Sequence, residues 1–401
     1  MSKNKSKMMT NSIFNNSASA NPETSEDNSS MPDNDLFNEA IQKAVASDDD
    51  SPDKPSSDKS LDRTTPSDEM DITNERKGIY DLLADSIMTS DLSDREKSER
   101  LSRVLKLRNK KVHLMITGAT GSGKSSTINA LFATEVATVG VGVDPETDTV
   151  EKYELENLTI WDTPGLGDGA SDEKNRDMIL RKLSETDEEG HALIDLVLVV
   201  LDASSKDLGT SYALINDVII PSLGEGAERR ILIGLNQADV AMKGTHWNTE
   251  SNEPDDVLLD FLKKKASSVR NRILEATGVV TKPVFYCAGY KEEGGEQRNP
   301  YNLTKLVYYI VSSIPKEKRL AIAGNLNPDS DVWLHDDGKT DYKEKTGRKF
   351  FETIGDCIFE RATDGAANGT IIFGIPGGVI GFLLGGAWGA ISGLFKAVFD
   401  V

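Results

Sequence analysis

The stretch Gly118-Ala119-Thr120-Gly121-Ser122-Gly123-Lys124-Ser125 has the spacing G-x-x-x-x-G-K-[ST] and follows the mostly apolar run Val112-His113-Leu114-Met115-Ile116-Thr117. A strand that ends in a glycine-rich turn and reopens as a helix leaves several backbone N–H groups pointing into one concavity, at the positive end of the helix dipole. Such a concavity cradles phosphate. In this reading the backbone from Gly118 to Ser126 wraps the phosphates, Lys124 reaches the outer ones, and the Ser125 hydroxyl ligates Mg²⁺. A Gly/Ser-rich linker can match the spacing by chance, but linkers do not follow a strand and open a helix such as Ser126-Thr127-Ile128-Asn129-Ala130-Leu131-Phe132.

Working outward, a second strand at residues 158–161 delivers Asp162-Thr163-Pro164-Gly165, 38 residues beyond Lys124. An aspartate at the carboxyl end of a strand beside a phosphate loop holds Mg²⁺, and the Gly165 N–H is placed to sense a γ-phosphate. The preceding strand, residues 150–155, joins it through Glu156-Asn157 in a hairpin-like connection. Between the first helix and this hairpin, residues 133–149 lack a helical apolar period and hold several threonines. This segment fits a loop ordered only around a γ-phosphate and Mg²⁺, with Thr147 as the metal-ligating threonine and Thr149 and Thr138 as alternatives.

Residues 194–201 form a near-continuous apolar run, the pattern of a parallel strand covered on both faces. The next strand, residues 230–235, ends in Asn236-Gln237-Ala238-Asp239. A carboxylate at Asp239 accepts two hydrogen bonds from the N1–H and 2-amino group of guanine, whereas adenine offers no matching pair. After a helix at 255–276 and a strand at 284–286, Cys287-Ala288-Gly289 brings the Ala288 N–H to the guanine O6. The triphosphate is therefore GTP, with GDP as its product.

The 401 residues allow one α/β domain of ordinary size with additions at both ends, and the net charge of −20 argues against a broad nucleic-acid surface. The two cysteines, Cys287 and Cys357, lie 70 residues apart, and the amino terminus lacks the apolar core of a signal peptide, so a reducing cytoplasm is expected. Residues 1–75 carry 16 acidic and 7 basic side chains with few apolar ones, the composition of a disordered tail. From 76 to 110 the pattern turns helical, and Ser93-Asp94-Arg95-Glu96 has the capping-box form.

Taken together, GATGSGKS, DTPG, NQAD and CAG resemble the first, third, fourth and fifth G motifs of a translation-factor-class GTPase, nearest the Era/TrmE-like group. The resemblance spans about residues 100–320; WDTPGLGDG and YNLTKLVYYIVSSIP resemble a set of bacterial Era-like predicted GTPases. It implies a P-loop NTPase of three-layer α/β/α form, with a mixed six-stranded sheet and GTP at the carboxyl ends of the strands. Three positions depart from the family pattern. Gln237 stands in place of a lysine that packs over the base, Gly121 in place of an asparagine that helps hold potassium, and Leu166 in place of the water-orienting glutamine of Ras-like proteins. Intrinsic hydrolysis is therefore expected to be slow.

Beyond the G domain at 111–320, residues 321–364 read as a linker and an amphipathic helix starting at Tyr342, with Phe350, Phe351, Ile354 and Ile358 on one side. Residues 365–395 carry no charge, and residues 377–399 are long enough as a helix to cross a hydrocarbon core. Gly377, Gly381, Gly385, Gly389 and Gly393 recur every four residues, the small-residue row of closely packed membrane helices. Membrane contact by residues 365–399, at the inner face of a cytoplasmic membrane, and self-association through this row or the G domain are expected. The opposing expectation is a scaffold of the same architecture that binds guanine nucleotide with negligible hydrolysis.

Overall fold

The computed structural model describes residues 78–90, 92–132, 150–167, 172–289 and 299–358. Two helices, α1 (Ile79–Thr89) and α2 (Asp94–Arg108), lead into β1 (Val112–Gly118) and α3 (Lys124–Phe132). The hairpin β2 (Glu151–Leu155) and β3 (Leu158–Asp162) precedes α4 (Asp172–Ser184), and β4 (Leu196–Asp202) follows. A helical rod, α5, then runs through Gly209–Ala213, a wider π-helical Leu214–Ile219 and Ile220–Leu223 to β5 (Ile231–Asn236). The remaining elements of the main sheet and its covering layers include α6 (Asp256–Thr277), β6 (Val284–Phe285), α7 (Leu303–Ser313), α8 (Arg319–Ala323) and α9 (Tyr342–Cys357).

The sheet order is β2-β3-β1-β4-β5-β6, with β2 antiparallel to β3 and all other neighbours parallel. This is the mixed six-stranded sheet expected from the motifs. Side chains alternate across a strand, so β4 feeds two cores at once. Leu196, Leu198 and Val200 join the cluster containing α1, α2, α3, α7, α8 and α9, whereas Val197, Val199 and Leu201 join the one containing α4, α5 and α6. The result is a three-layer sandwich whose central strand is buried on both faces.

The amino-terminal helices form as the sequence indicates. The Ser93 side chain accepts the Glu96 N–H while Glu96 bonds back to the Ser93 N–H, so the capping box is present. Arg108 then ties α2 to α1 through Asp81 at 2.8 Å.

The stretch expected as a linker after residue 320 is packed against the domain. Ala321, Ile322, Leu326 and Trp333 are buried in the same cluster as β1 and α3. Asn327 donates from its backbone to the Leu131 carbonyl at 2.8 Å and from its amide to that of Ala130 at 3.1 Å. The last carbonyls of α3, which have no partner within their own helix, are satisfied in this way. Apolar residues at irregular spacing give no periodicity to read, which is why this packing is invisible in the sequence pattern. In α9, Phe350, Ile354 and Ile358 are buried and Phe351 is partly so, and Arg103 of α2 donates to the Ile358 carbonyl at 3.0 Å. Among the described residues no helix is long and apolar enough to cross a membrane. The acidic tail at 1–75, Thr147 with its loop, and the glycine row lie outside the described residues.

Candidate functional site

The carboxyl ends of four parallel strands meet at one edge of the sheet. Strand register sets Ile116 opposite Asp162, Gly118 opposite Val200 and Asp202 opposite Asn236, so the chain segments that leave β1, β3 and β5 emerge at the same end of the sheet, with β4 between β1 and β5. This is the crevice where open α/β sheets bind ligands.

Gly118 to Gly123 form a turn between β1 and α3, and the first N–H groups of α3, at Lys124, Ser125 and Ser126, point out of the helix start. Gly123 lies at φ 86°, and a Cβ there would sit 2.2 Å from the Asn236 amide nitrogen. Only glycine fits that approach. Lys124 is 8% exposed, its ammonium 3.4 Å from the Ala119 carbonyl, and burial holds its pKa below the usual lysine range against the pull of Asp162.

Asp162 ends β3 with its side chain buried. Burial pushes its carboxyl up to about 6, opposed by Lys124 and by the Ser125 hydroxyl, which donates to Oδ2 at 3.1 Å. The other oxygen, Oδ1, has no hydrogen-bond partner among the described residues. A buried carboxylate with an unpartnered oxygen beside a serine hydroxyl suits a hard divalent cation that takes oxygen ligands, so Ser125 and Asp162 fit Mg²⁺. Gly165 lies against Thr120 of the phosphate loop, and Leu166 is 1% exposed and bonded to the loop through its main chain alone. The leucine side chain is in the core beside α4 and presents no polar group to the crevice.

At the other end, Asn236 uses both halves of its amide. Nδ2 donates to the Ser122 carbonyl at 3.0 Å and Oδ1 accepts the Ala288 N–H at 3.0 Å, so three sequence-distant motifs are joined through one side chain. Gln237 adopts φ 61° and donates to the Gly121 carbonyl at 2.7 Å. The residue that departs from the family lysine therefore makes a neutral tether to the phosphate loop. Asp239 is 3% exposed, just past the end of β5.

Three contributors escaped the sequence reading. Tyr286, fully buried, donates to Thr127 Oγ1 at 2.7 Å while Thr127 donates to the Gly123 carbonyl at 2.7 Å, which links β6 to the phosphate loop. Asn175 of α4 donates to the Gly165 carbonyl at 2.8 Å. Asn175 does leave a signal: it continues the apolar row Ile179 and Leu183 as its one polar member. Tyr286 and Thr127 look like ordinary strand and helix residues and leave none.

Residues 113–237 match a family model described as 50S ribosome-binding GTPase. The chain is 31% identical to protein YfjP of Escherichia coli (strain K12) over 143 residues, 34% of this chain and 45% of YfjP. It is also 31% identical to YkfA of the same organism over 150 residues, 36% of this chain and 48% of YkfA. The chain thus spans a little under half the length of the curated relatives it matches. Among solved structures, Toc33 of Arabidopsis thaliana has a TM-score of 0.35 at 17% identity, covering 53% of this chain and 87% of Toc33. The matched segment holds the phosphate loop, DTPG and the start of NQAD, and it is similar to that GTPase family over those residues.

Proposed function

We propose that this protein binds GTP at the crevice formed by Gly118 to Ser126, Asp162, Gly165, Asn236, Asp239 and Ala288, and hydrolyses it slowly to GDP and phosphate as a switch. The observation that carries this reading is the meeting of the phosphate loop with Asn236 and Ala288, held by the two bonds of the Asn236 amide. Asp239 accepts from the guanine N1–H and 2-amino group; the Ala288 N–H, expected at the guanine O6, is instead committed to Asn236 Oδ1 at 3.0 Å and braces the base end of the crevice. Lys124 and the backbone N–H groups at the start of α3 neutralise the phosphates, and the Gly165 N–H meets the γ-phosphate. Ser125 and Asp162 would hold Mg²⁺, with Thr147 as the further ligand in the GTP form and Thr149 and Thr138 as alternatives; the ion would supply charge neutralisation of the phosphate oxygens. Catalysis would come from positioning and charge neutralisation rather than from a side-chain base.

Slowness is supported by Leu166, whose buried apolar side chain offers nothing to orient a water. The same observation favours a second reading, a self-associating scaffold that binds guanine nucleotide with negligible turnover. In both readings the protein is cytoplasmic and contacts the inner face of the membrane through residues 365–399, supported by their uncharged run and glycine row. The chain would be kin to Era/TrmE-like GTPases, and a second copy of the chain would meet it through the G domain or that row.

Identification of the nucleotide retained after gentle purification, followed by single-turnover hydrolysis with and without liposomes, tests the reading. GDP or GTP retained, with turnover raised by liposomes, supports the switch; tight binding without turnover supports the scaffold. Lys124→Ala removes a buried charge worth about 2–5 kcal/mol toward a charged partner, so nucleotide binding should fall at least about 30-fold. Undiminished binding in that variant would sink the assignment.

A further inference from the structure

The Gly165–Leu166 peptide is held at both ends. Its carbonyl accepts from Asn175 Nδ2 at 2.8 Å, and its N–H donates to the Gly118 carbonyl at 3.3 Å. The next carbonyl, that of Leu166, accepts the Thr120 N–H at 3.0 Å, completing one rung of parallel pairing between Ala119 and Leu166. Gly165 itself has no room for a side chain, because a Cβ would stand 2.6 Å from Thr120 Cα and 2.7 Å from its nitrogen. DTPG is therefore seated directly on the phosphate loop.

Asn175 is an unusual choice for its place. It lies in the first turn of α4, 4% exposed, one turn ahead of the buried Ile179 and two ahead of Leu183. A buried amide costs free energy unless it is hydrogen-bonded, and an apolar residue would continue the row without that cost. Its bond to Gly165 is what the position serves. A second bond, from the Gly167 N–H to Asp172 Oδ1 at 2.7 Å, fixes the same turn of α4 to the same segment. With the Gly165–Leu166 peptide pinned, the Gly165 N–H is only two torsions, φ and ψ of Gly165, from a fixed plane.

We propose that Asn175 is a positioning residue for γ-phosphate recognition: by holding the Gly165 carbonyl on α4 it aims the Gly165 N–H at the outer phosphate. The inference rests on the GTP-binding reading above. Its consequence is selective, because a diphosphate does not reach Gly165. Loss of the Asn175 bond weakens triphosphate binding and leaves diphosphate binding alone, whereas a merely structural role weakens both.

The test uses the full chain with Mg²⁺ and compares dissociation constants for GDP and a non-hydrolysable GTP analogue. Asn175→Leu continues the apolar row, and Asn175→Asp keeps the shape while removing the donor. In each, affinity for the analogue should fall about tenfold, with GDP affinity changed less than about twofold. An equal fall for both nucleotides, or no fall for either, overturns the inference and leaves the GTP reading standing. If the unaltered chain binds neither nucleotide, the reading and the inference fail together. Should Asn175→Leu fail to fold, the ratio measured on Asn175→Asp decides.

Discussion

The base end and the phosphate end of the crevice are built on opposite principles. At the base end the polar groups are tied to one another before any ligand arrives: Asn236 bridges Ser122 and Ala288, Gln237 reaches Gly121, the Ala238 N–H bonds the Tyr286 carbonyl, and Tyr286 holds Thr127. At the phosphate end, Lys124 and Asp162 are buried charges whose pKa values are both displaced by desolvation, and Asp162 Oδ1 has no partner among the described residues. A pre-tied site loses little freedom on binding, so it serves selection; buried charges with unmet partners gain most when phosphate and cation arrive, so they serve affinity.

The sharpest way to break this contrast is at Asp239. Asp239→Asn leaves the Asn236 and Gln237 ties in place and converts one acceptor to a donor. Two hydrogen bonds to a charged group are worth about 1.5–3 kcal/mol each, so GTP affinity should drop on the order of 100-fold or more while XTP affinity rises. Competition binding with the two nucleotides reads the switch. A common fall for GTP and XTP means that Asp239 supports the fold and does not select the base.

At the phosphate end the contrast predicts that function is held at the expense of stability. The Asp162 carboxyl titrates at about 6 in the fold against 3.8 in the unfolded chain. Below 3.8 both states are protonated and no penalty exists; as pH rises from there to about 6 only the unfolded state ionises, and stability falls. Above about 6 the penalty is complete, about 3 kcal/mol at most from a shift of roughly 2 units. Asp162→Asn should therefore stabilise the nucleotide-free, metal-free protein by about 1–3 kcal/mol at pH 7.5, with the gain fading toward pH 4. Denaturant unfolding at the two pH values measures it; a loss of stability at pH 7.5 shows that the carboxylate is well compensated and the two ends are alike.

The same contrast explains what was legible in the sequence. Ends of parallel strands that carry chemistry announce themselves, because GATGSGKS, DTPG and NQAD need particular residue types at fixed distances from apolar runs. The resemblance that these motifs carry implied the three-layer architecture, and β4 reads as buried on both faces because all of Leu196 to Leu201 is apolar. What stayed hidden are ties made by single polar side chains to main-chain carbonyls, near or far in sequence. Asn327 on the end of α3, Thr127 on Gly123 and Asn175 on Gly165 each satisfy a carbonyl, and a carbonyl has no residue type to betray it. Gln237 was legible only as a departure; the fold is needed to show that its amide reaches Gly121.

The smallest effect is the most discriminating one. Tyr286→Phe deletes a buried hydroxyl that donates to Thr127, while Thr127 keeps its own donation to Gly123. The stability cost should be about 0.5–1.5 kcal/mol, the net worth of one neutral hydrogen bond. In the proposed reading Gly123 belongs to the part of the loop that wraps the phosphates GDP and GTP share, so dissociation of both nucleotides should quicken by the same few-fold factor. Stopped-flow release of fluorescent GDP and of a fluorescent non-hydrolysable GTP analogue measures the two rates. Equal acceleration places Tyr286 with the pre-tied end of the crevice, in contrast to Asn175, whose loss should affect the triphosphate alone. Unequal acceleration would mean that the tie from β6 extends to the γ-phosphate, and that the two ends of the crevice work as one unit.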